Sequence, residues 1–527
     1  MDHKDHSEMG VNRRFLLKGG AILGSTAFIG SGIVRGDADQ SSPQPLGPTP
    51  RMPYGIQWGD LTETDVTLWA ACDRPSRLQV EISNDEDFLY FFRKLDGPAA
   101  LEDDDYTVKL LIDKLPPIDR LYYRVYFIDL ETGSRSDIIE GSIPLMKKAK
   151  GMTRFLWSGD TAGQGWGINP EWGGMRIYET MRRMKPDFFI HSGDCIYADG
   201  PLQEEVELDD GSIWKNIVTP EKRKVAETLK EFRGQYQYNL LDTNIQAFNR
   251  EVPQYFQWDD HETVNNWYPG EILNDDRYRV KSVDLLAARA KKAFLEFTPI
   301  APRFQINERI YRKFQYGDDL EIFMIDLRSF RAANSPNTQL TPSAATDFLG
   351  KEQLNWLKSS LAKSESTWKV IASDIPIGLL VRDGDNFENG ANGDGPALGR
   401  ELEIAQLLSF ISDQDIKNII WLTADVHYAA AHYYNPKKAV FKDFKPFWEF
   451  VSGPLHAGTF GPNEFDNTFG PELKFLSIPT NLPANRPPSD GYQFFGCVDI
   501  DSKSKKMTVK QINVYGEEKY AVTLIPE

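Results

Sequence analysis

Hydrophobic and polar positions divide the chain into a strand-rich first part and a second part in which strands and helices alternate. Apolar and polar residues alternate over residues 65–71, 77–82, 106–110 and 121–127, and turn residues separate these stretches. Such alternation is typical of half-buried strands, which present one apolar and one polar face. Short strands at this spacing predict a small β-sandwich of the immunoglobulin or fibronectin type over residues 51–147.

From residue 151 onward, short apolar stretches alternate with stretches of helical periodicity. Each of five apolar stretches ends in an aspartate. This order predicts an α/β domain over residues 151–527, with polar side chains collected at the carboxyl ends of its strands. Helices are predicted at residues 174–184, 220–238, 283–297, 353–363 and 401–412.

Residues 1–38 have the pattern of an export signal. Arg13 and Arg14 precede an apolar, uncharged stretch over residues 19–34, which is too short for an easy membrane span. The arginine pair matches a twin-arginine signal, although an uncleaved membrane anchor is the alternative. We therefore expect the twin-arginine export machinery as a partner, a periplasmic or extracellular location, and no stable membrane anchor after cleavage. Residues 39–50, rich in Ser and Pro, are predicted to be a linker.

Composition narrows the classes of function. The chain has 527 residues, 77 of them acidic and 60 basic, for a formal net charge of −17, so it carries no general nucleic-acid-binding footprint. Its three cysteines exclude a disulfide scaffold and a four-cysteine zinc site. With only seven histidines, a metal centre would have to use mostly oxygen ligands.

The five strand-end aspartates are the first indication of chemistry. A single such residue usually caps the next helix or is solvated in a loop. Five of them in one α/β domain favour a site at the carboxyl edge of the sheet instead. The five are Asp160, Asp194, Asp326, Asp374 and Asp425.

The stretch from Gly193 to Tyr197 has a Gly-Asp-x-x-Tyr spacing at a strand end. The two oxygens of Asp194 point in different directions and suit a bridge between two metal ions, and Gly193 permits a close approach. The Tyr197 phenolate is a ligand for a hard ferric ion, with packing in the core as the alternative.

Two further stretches pair an aspartate with a histidine. Asp260 and His261 follow a strand, which fits a metal ligand followed by a catalytic histidine; a polar surface loop is the alternative. Asp425 and His427 are two positions apart, so their side chains can point to the same face and ligate different ions. For His427 the alternative is a hydrogen-bonded core histidine.

These residues fall in the order found in calcineurin-like metallophosphoesterases, and the chain more closely resembles the alkaline phosphatase D (PhoD-type) family. The resemblance covers essentially the whole chain. It rests on the twin-arginine leader, the β-sandwich before the larger domain, and the stretches at residues 191–200, 258–262, 326–331 and 449–454.

This resemblance implies a four-layer α/β/β/α domain that hydrolyses phosphate mono- and diesters at a site holding iron and calcium. The chain departs from the best-known members on the first strand of this domain, where those members carry a cysteine ligand. Here Asp160 takes that place, and Ala162 stands where the wider superfamily has a histidine. A ferric–thiolate bond is therefore not expected. The hard ligand set suits calcium, magnesium, manganese or ferric iron, and zinc stays open.

The family implies two or three metal ions around a bridging Asp194. We expect one ion on Asp160, Tyr197 and His427, the other on Asp260 and Asp425, and Asn265 and Asp374 as further ligands.

His261 and Arg328 are the predicted catalytic residues. His261 would orient the phosphate or protonate the leaving oxygen, and Arg328 would bind a phosphate oxygen unless it forms a structural ion pair beneath the site. The expected activity is hydrolysis of a phosphate ester by a metal-activated hydroxide attacking phosphorus in line. Two alternatives stand beside it: a hydrolase of phospholipid-type or teichoic-type diesters at the same site, and a secreted metal-binding protein without catalysis.

Overall fold

A computed structural model describes residues 48–89, 91–146, 151–305 and 308–527. The predicted signal over residues 1–38, most of the linker and the predicted boundary at 147–150 lie outside these ranges. The described residues belong to one compact unit. In the described part of the chain, the helices are all too short or too polar to cross a membrane.

The described residues form 24 strands and seven α-helices. The strands are β1 (Ile56–Gly59), β2 (Asp65–Ala71), β3 (Ser76–Ser83), β4 (Phe91–Ala100), β5 (Thr107–Asp113), β6 (Arg120–Asp129), β7 (Ile139–Pro144), β8 (Met152–Ser158), β9 (Phe188–Ser192), β10 (Glu205–Glu207), β11 (Ile213–Lys215), β12 (Gln254–Gln257), β13 (Arg312–Tyr316), β14 (Leu320–Met324), β15 (Trp368–Ala372), β16 (Arg382–Asp383), β17 (Asn386–Phe387), β18 (Ile419–Thr423), β19 (Ala430–Tyr434), β20 (Phe447–Val451), β21 (Pro471–Leu476), β22 (Phe494–Asp501), β23 (Met507–Asn513) and β24 (Glu518–Leu524). The helices are α1 (Arg176–Arg183), α2 (Leu229–Asn239), α3 (Thr243–Glu251), α4 (Val283–Phe297), α5 (Pro302–Gln305), α6 (Lys351–Lys363) and α7 (Glu401–Asp413).

The first seven strands form two antiparallel groups. Strands β4, β3, β6 and β7 make a four-stranded sheet in that order, and β2 pairs on one side with β1 and on the other with β5. Their inward side chains, among them Leu68, Val80 and Val125, share one apolar cluster. The alternating stretches of the sequence are therefore strands. Strand β2 differs from the expected half-buried pattern, because Leu68 lies in this cluster while Trp69, on the opposite face, is buried in a second cluster.

The first strand also joins the large sheet of the second part, which the sequence analysis does not anticipate. Gly59 of β1 pairs in parallel with Gln254 of β12. A side chain at Gly59 would come within 2.6 Å of the Gln254 carbonyl oxygen and of Pro299. The missing side chain is what allows this approach. Strands predicted as part of a separate sandwich thus continue a nine-stranded sheet.

Two large sheets form the second part. The nine-stranded sheet has the order β24-β23-β22-β8-β9-β12-β1-β2-β5, and the seven-stranded sheet has the order β13-β14-β15-β18-β20-β19-β21. Side chains from both sheets, such as Trp157 and Ile190 from one and Val370 and Leu422 from the other, belong to one apolar cluster. The two sheets therefore pack face to face.

Helices cover the opposite faces of both sheets. Neighbouring residues of the seven-stranded sheet, such as Ile371 and Trp421, cluster with α6 and α7, while Leu156 and Phe189 of the other sheet cluster with α1, α3 and α4. Both faces of the parallel strands are thus buried, which explains their continuous apolar runs.

One predicted helix is divided in the structure. Residues 220–223 form a short 3-10 turn, and α2 begins only at Leu229. The Thr228 side chain accepts a hydrogen bond from the Glu231 N–H, and the Glu231 carboxylate accepts one from the Thr228 N–H. This capping box sets the start of the helix, because it supplies partners for N–H groups that the helix cannot satisfy.

Candidate metal centre

The predicted ligands lie where the parallel strands of both sheets end. Asp160 follows β8, Asp194 follows β9, and Asp425 follows β18. Asp260 and His261 follow β12, which lies beside β9 in the nine-stranded sheet. The carboxyl ends of parallel strands meet along one edge, and here the edges of two sheets meet.

Asp194 belongs to two separate groups of ligand atoms. Oxygen and nitrogen atoms of Asp160, Asp194 and His427 lie within 4.8 Å of one another, and so do atoms of Asp194, Asp260 and His261. All five side chains are buried. This arrangement is the one that a carboxylate bridging two ions requires.

Four of these residues have a backbone conformation that side chains other than glycine rarely adopt. The φ angle is 69° at Asp160, 51° at Asp194, 69° at Asp425 and 61° at His427. Aspartate and histidine tolerate this left-handed region better than most residues, yet each instance costs roughly 1–3 kcal/mol. Strain of this kind concentrates where side chains must converge on one point.

Tyr197 and His427 meet beside Asp160. The Tyr197 hydroxyl lies 2.9 Å from the His427 Nε2 atom, and Nε2 lies 3.4 Å from an Asp160 oxygen. The other ring nitrogen, Nδ1, is hydrogen-bonded to the Gly458 carbonyl oxygen. A ring that donates Nδ1–H to a carbonyl leaves the lone pair on Nε2 for a metal ion, as in most metal-bound histidines.

Both Asp160 oxygens are buried and lack a hydrogen-bond partner among the described residues. A buried carboxylate without donors is costly, so such oxygens indicate a missing positive partner. This observation, together with the oxygen-rich donor set, fits a bound hard cation.

His261 is held by a residue that the sequence analysis does not select. The His261 Nδ1 atom lies 2.8 Å from Asp199 Oδ1, and the second Asp199 oxygen accepts a hydrogen bond of 2.9 Å from the Asn265 N–H. The His261 ring also packs on Tyr197, with ring centroids 4.2 Å apart. Asp199 therefore fixes both the ring of His261 and the loop behind it.

Arg328 lies beneath the site instead of lining it. Its side chain has no exposed surface and forms close ion pairs with Asp259 and Glu388. Asp260, Asp374 and Asp425 each have an oxygen 3.9 Å from the guanidinium. This placement corresponds to the alternative that the sequence leaves open, a structural ion pair below the metal ligands.

The two additional predicted ligands differ in placement. Asp374 is fully buried, and its Oδ2 atom has no hydrogen-bond partner among the described residues. Asn265 is exposed, and its backbone N–H is bonded to Asp199. The neighbouring Asn266 donates its N–H to Asp260 at 2.5 Å and so fixes that carboxylate.

Crowding of carboxylates changes their acidity. Burial raises the pKa of Asp160 to about 8. The charge of His261 lowers this pKa and so opposes the rise, whereas the negative charge of Asp260 adds to it. Burial, and then the charge of Asp260, holds the pKa of Asp194 well above its usual range. Burial, and then the negative charge of Glu388, also raises the pKa of Asp425 well above its usual range. A cation placed among these groups would favour their charged forms.

The two histidines have opposite electrostatic environments. Burial opposes protonation of His261, but Asp199 and Asp260 outweigh it and raise the pKa to about 10. Burial lowers the pKa of His427 to about 4. His261 is thus suited to carry a proton, and His427 to offer a lone pair.

Two glycines are required by the close packing of the loops. Gly193 has a φ of 99°, and a side chain there would come within 2.5 Å of the Asp259 Cβ atom. A side chain at Gly453, which follows β20, would collide with an Asp160 oxygen. Neither position can accept a larger residue without moving a site carboxylate.

A cleft of about 400 Å³ opens onto these residues. Its acidic lining residues lie deep, and its outer lining includes Arg382 and Phe460. The lining residues are Gln164, Asp194, Asp260, His261, Asn265, Asn266, Val381, Arg382, Glu388, Asp425, Val426, His427, Phe460, Gly461, Pro462 and Asn463.

Sequence reasoning missed Asp199, Glu388 and Arg382. Asp199 lies two residues after Tyr197, so its position in that motif was a usable signal. Glu388 and Arg382 lie on the hairpin of β16 and β17, in a stretch rich in Gly, Asn and Asp. No apolar strand precedes them, and only the folding of this hairpin over the strand ends brings them to the cleft.

The chain is similar to known PhoD-like phosphatases along most of its length. The family model for the PhoD-like phosphatase matches residues 155–511, and the model for the N-terminal domain of PhoD-like phosphatase matches residues 38–142. Alkaline phosphatase D of Bacillus subtilis (strain 168) is 26% identical over 400 residues, which cover 71% of this chain and 64% of that protein. The match thus spans less than two thirds of that relative's length. The solved structure of PhoD has the same fold, with a TM-score of 0.67 at 20% identity over 92% of this chain and 90% of the other.

Proposed function

The chain belongs to the PhoD-like phosphatase family, and from that premise we propose that it is an exported, metal-dependent phosphoric ester hydrolase. Membership confirms the family predicted from the motifs. The observation that carries the proposed activity is the position of Asp194, which groups with Asp160 and His427 on one side and with Asp260 on the other. Two adjacent ions sharing a carboxylate are a recurring arrangement for phosphoryl transfer.

The residues that would hold the ions are those predicted from the sequence. We assign Asp160, Tyr197 and His427 to one ion, Asp194 to the bridge, and Asp260 and Asp425 to the second ion. Asn265 and Asp374 remain further candidates. The unpartnered oxygens of Asp160 support the first assignment.

The donor set is hard, with carboxylates, one phenol and one imidazole. It supports two or three ions drawn from calcium and ferric iron, and manganese, magnesium or zinc would also be accepted. Asp160 stands where a thiolate would otherwise bind, so we expect no thiolate-to-iron charge-transfer absorption.

Bound metal ions would polarise the phosphoryl group and lower the pKa of a water molecule, which supplies the nucleophile for in-line attack on phosphorus. The chain's own residues would orient the phosphate and protonate the leaving oxygen. His261, protonated at Nδ1 toward Asp199, is the candidate to orient the phosphate or to give a proton to the leaving oxygen. Arg328 holds the buried carboxylates in place from below.

The finer points of architecture and location are part of the same proposal. Face-to-face sheets with helices outside them support the four-layer α/β/β/α order for residues 151–527. The two antiparallel groups of β1 to β7 support an immunoglobulin- or fibronectin-like sandwich for residues 51–147. The arginine pair supports twin-arginine export to the periplasm or beyond.

The test combines metal analysis with hydrolysis of 4-nitrophenyl phosphate and bis(4-nitrophenyl) phosphate, before and after chelation. We expect bound metal, hydrolysis that is lost on chelation, and recovery when calcium and iron are returned. Asp194→Asn should remove turnover, whereas Asp276→Asn, the same change at an exposed site, should not. Metal without turnover of either ester would contradict the proposed activity, and folded protein without metal would contradict the centre itself.

A further inference from the structure

We propose that Arg382 is a specificity-determining residue that binds a second anionic group of the substrate. The enzyme would then prefer phosphoric esters that carry another phosphate outside the scissile group. This inference rests on the proposed function and adds the class of substrate.

The first observation is where Arg382 lies in the cleft. Its side chain is 58% exposed, whereas the acidic side chains lining the cleft at Asp260, Glu388 and Asp425 are at most 10% exposed. All of these residues line the same cleft. Arg382 is therefore at the mouth, while the candidate metal ligands are at the floor.

The second observation is that the Arg382 guanidinium has no strong partner among the described residues. Its nearest carboxylate is Glu464, 3.8 Å away and itself 80% exposed. Such a pair contributes little energy and is easily displaced. The guanidinium lies 5.3 Å from the centre of the Phe387 ring, which orients it without using its N–H donors. Those donors remain available for a ligand.

The third observation is that the backbone carrying Arg382 is fixed to the site. Arg382 pairs with Phe387 across the hairpin of β16 and β17, and the Glu388 N–H donates to the Val381 carbonyl oxygen at 2.9 Å. Asp383 accepts a 2.8 Å hydrogen bond from the Asn334 side chain. Since Glu388 reaches the cleft floor from the same hairpin, the distance from Arg382 to the floor is set by rigid structure.

The fourth observation concerns the wall beside Arg382. Phe460 lines the mouth and packs edge-on against His427, with ring centroids 5.3 Å apart. Phe460, Val381 and Pro462 give this part of the cleft an apolar surface for the organic part of an ester.

Together these features separate two binding roles. The scissile phosphoryl group needs the metal ions at the floor. An arginine at the mouth offers a planar, permanently charged fork that matches phosphate oxygens. It is thus placed for a second phosphate on the far side of the organic group.

The experiment uses two chromogenic esters that differ in one phosphate. They are thymidine 5′-(4-nitrophenyl phosphate) and the same compound with a 3′-phosphate. We expect the wild-type protein to favour the 3′-phosphorylated ester, and Arg382→Gln to reduce the ratio of kcat/KM values about tenfold, mainly through KM. Arg382→Lys should restore part of the preference. Arg183→Gln, which removes the same charge from an exposed helix position, should keep the wild-type ratio.

The outcomes separate this inference from the proposed function. Equal losses of kcat/KM on both esters in Arg382→Gln would mean that Arg382 binds the scissile phosphate, and kcat/KM values unchanged on both esters would mean that it binds no anion; either result overturns the inference. If the wild-type protein hydrolyses neither of these diesters nor 4-nitrophenyl phosphate, the proposed function fails. In that case, calorimetry measures the affinity of calcium-loaded wild-type and Arg382→Gln protein for inorganic pyrophosphate, and we expect weaker binding by the variant. Affinity that is equal in wild-type and Arg382→Gln protein would overturn it.

Discussion

Replacing Asp199 by asparagine should slow hydrolysis without emptying the metal centre. Asp199 is 5% exposed and uses one oxygen for His261 Nδ1, at 2.8 Å, and the other for the Asn265 N–H, at 2.9 Å. An asparagine has only one oxygen, so its NH2 group must face one of these two donors. If it faces His261, the ring has to give up its Nδ1 proton, and the imidazole becomes neutral.

The size of the effect follows from the charges around His261. Burial disfavours the protonated ring, and the carboxylates of Asp199 and Asp260 together raise its pKa to about 10. Asp199→Asn removes one of these two charges and the hydrogen bond that orients the ring. Complete loss of a general acid costs about 10²–10⁴ in rate, and loss of an orienting partner about 10–100-fold. We therefore expect kcat to fall roughly 100-fold.

Leaving-group dependence is the decisive assay. Phenyl phosphate needs a proton on its departing oxygen, whereas 2,4-dinitrophenyl phosphate does not. The loss in Asp199→Asn should thus be about 100-fold for phenyl phosphate and below about fivefold for the dinitrophenyl ester. Metal content, measured by mass spectrometry, should stay at the wild-type level, and Asp276→Asn is the matched control. An equal loss on both esters, or loss of metal, would refute the assignment of His261 as proton donor.

Two further predictions concern packing and buried charge. Gly453→Ala should lower metal content and reduce activity at least tenfold, because the added methyl group would occupy the space of an Asp160 oxygen; full metal occupancy in the variant would argue against this contact. Lys109, whose ammonium donates to the carbonyl oxygens of Leu295 and Ile300, has a pKa lowered by burial to about 7. Between about pH 7 and 10.5 the unfolded chain holds this proton more tightly, so stability from this residue rises with pH. In urea unfolding, Lys109→Met should reduce the pH slope by up to about 1.4 kcal/mol per pH unit, and an unchanged slope would contradict a buried charge.

Much of the candidate site could be predicted from short stretches of sequence. Apolar runs ending in aspartate identified the strand ends, and the structure brings Asp160, Asp194, Asp260 and His427 into two overlapping groups of ligand atoms. This works because a run of buried residues in a parallel strand has a recognisable composition. The carboxyl ends of such strands always face the same edge.

The tertiary structure decided the surroundings of residues that carry no local signal. The sequence indicated Arg328 as a candidate phosphate ligand, yet its side chain is enclosed by Asp259 and Glu388. Glu388 itself reaches the cleft from the hairpin of β16 and β17, which is distant in sequence from Asp259 and Arg328. Ion-pair partners depend on which chain segments pack together, and hydrophobic periodicity does not report that.

The same distinction applies to the fold. Alternation predicted the strands of residues 51–147, since each strand records its own buried face within a few residues. It did not predict that β1 would pair with β12, because that pairing depends on a free sheet edge and on the close approach that Gly59 allows. The sequence by itself thus determined the elements and most candidate ligands. Only the tertiary structure decided which edges pair, which charges are buried together and which arginine faces the cleft, because those outcomes depend on contacts between segments far apart in the chain.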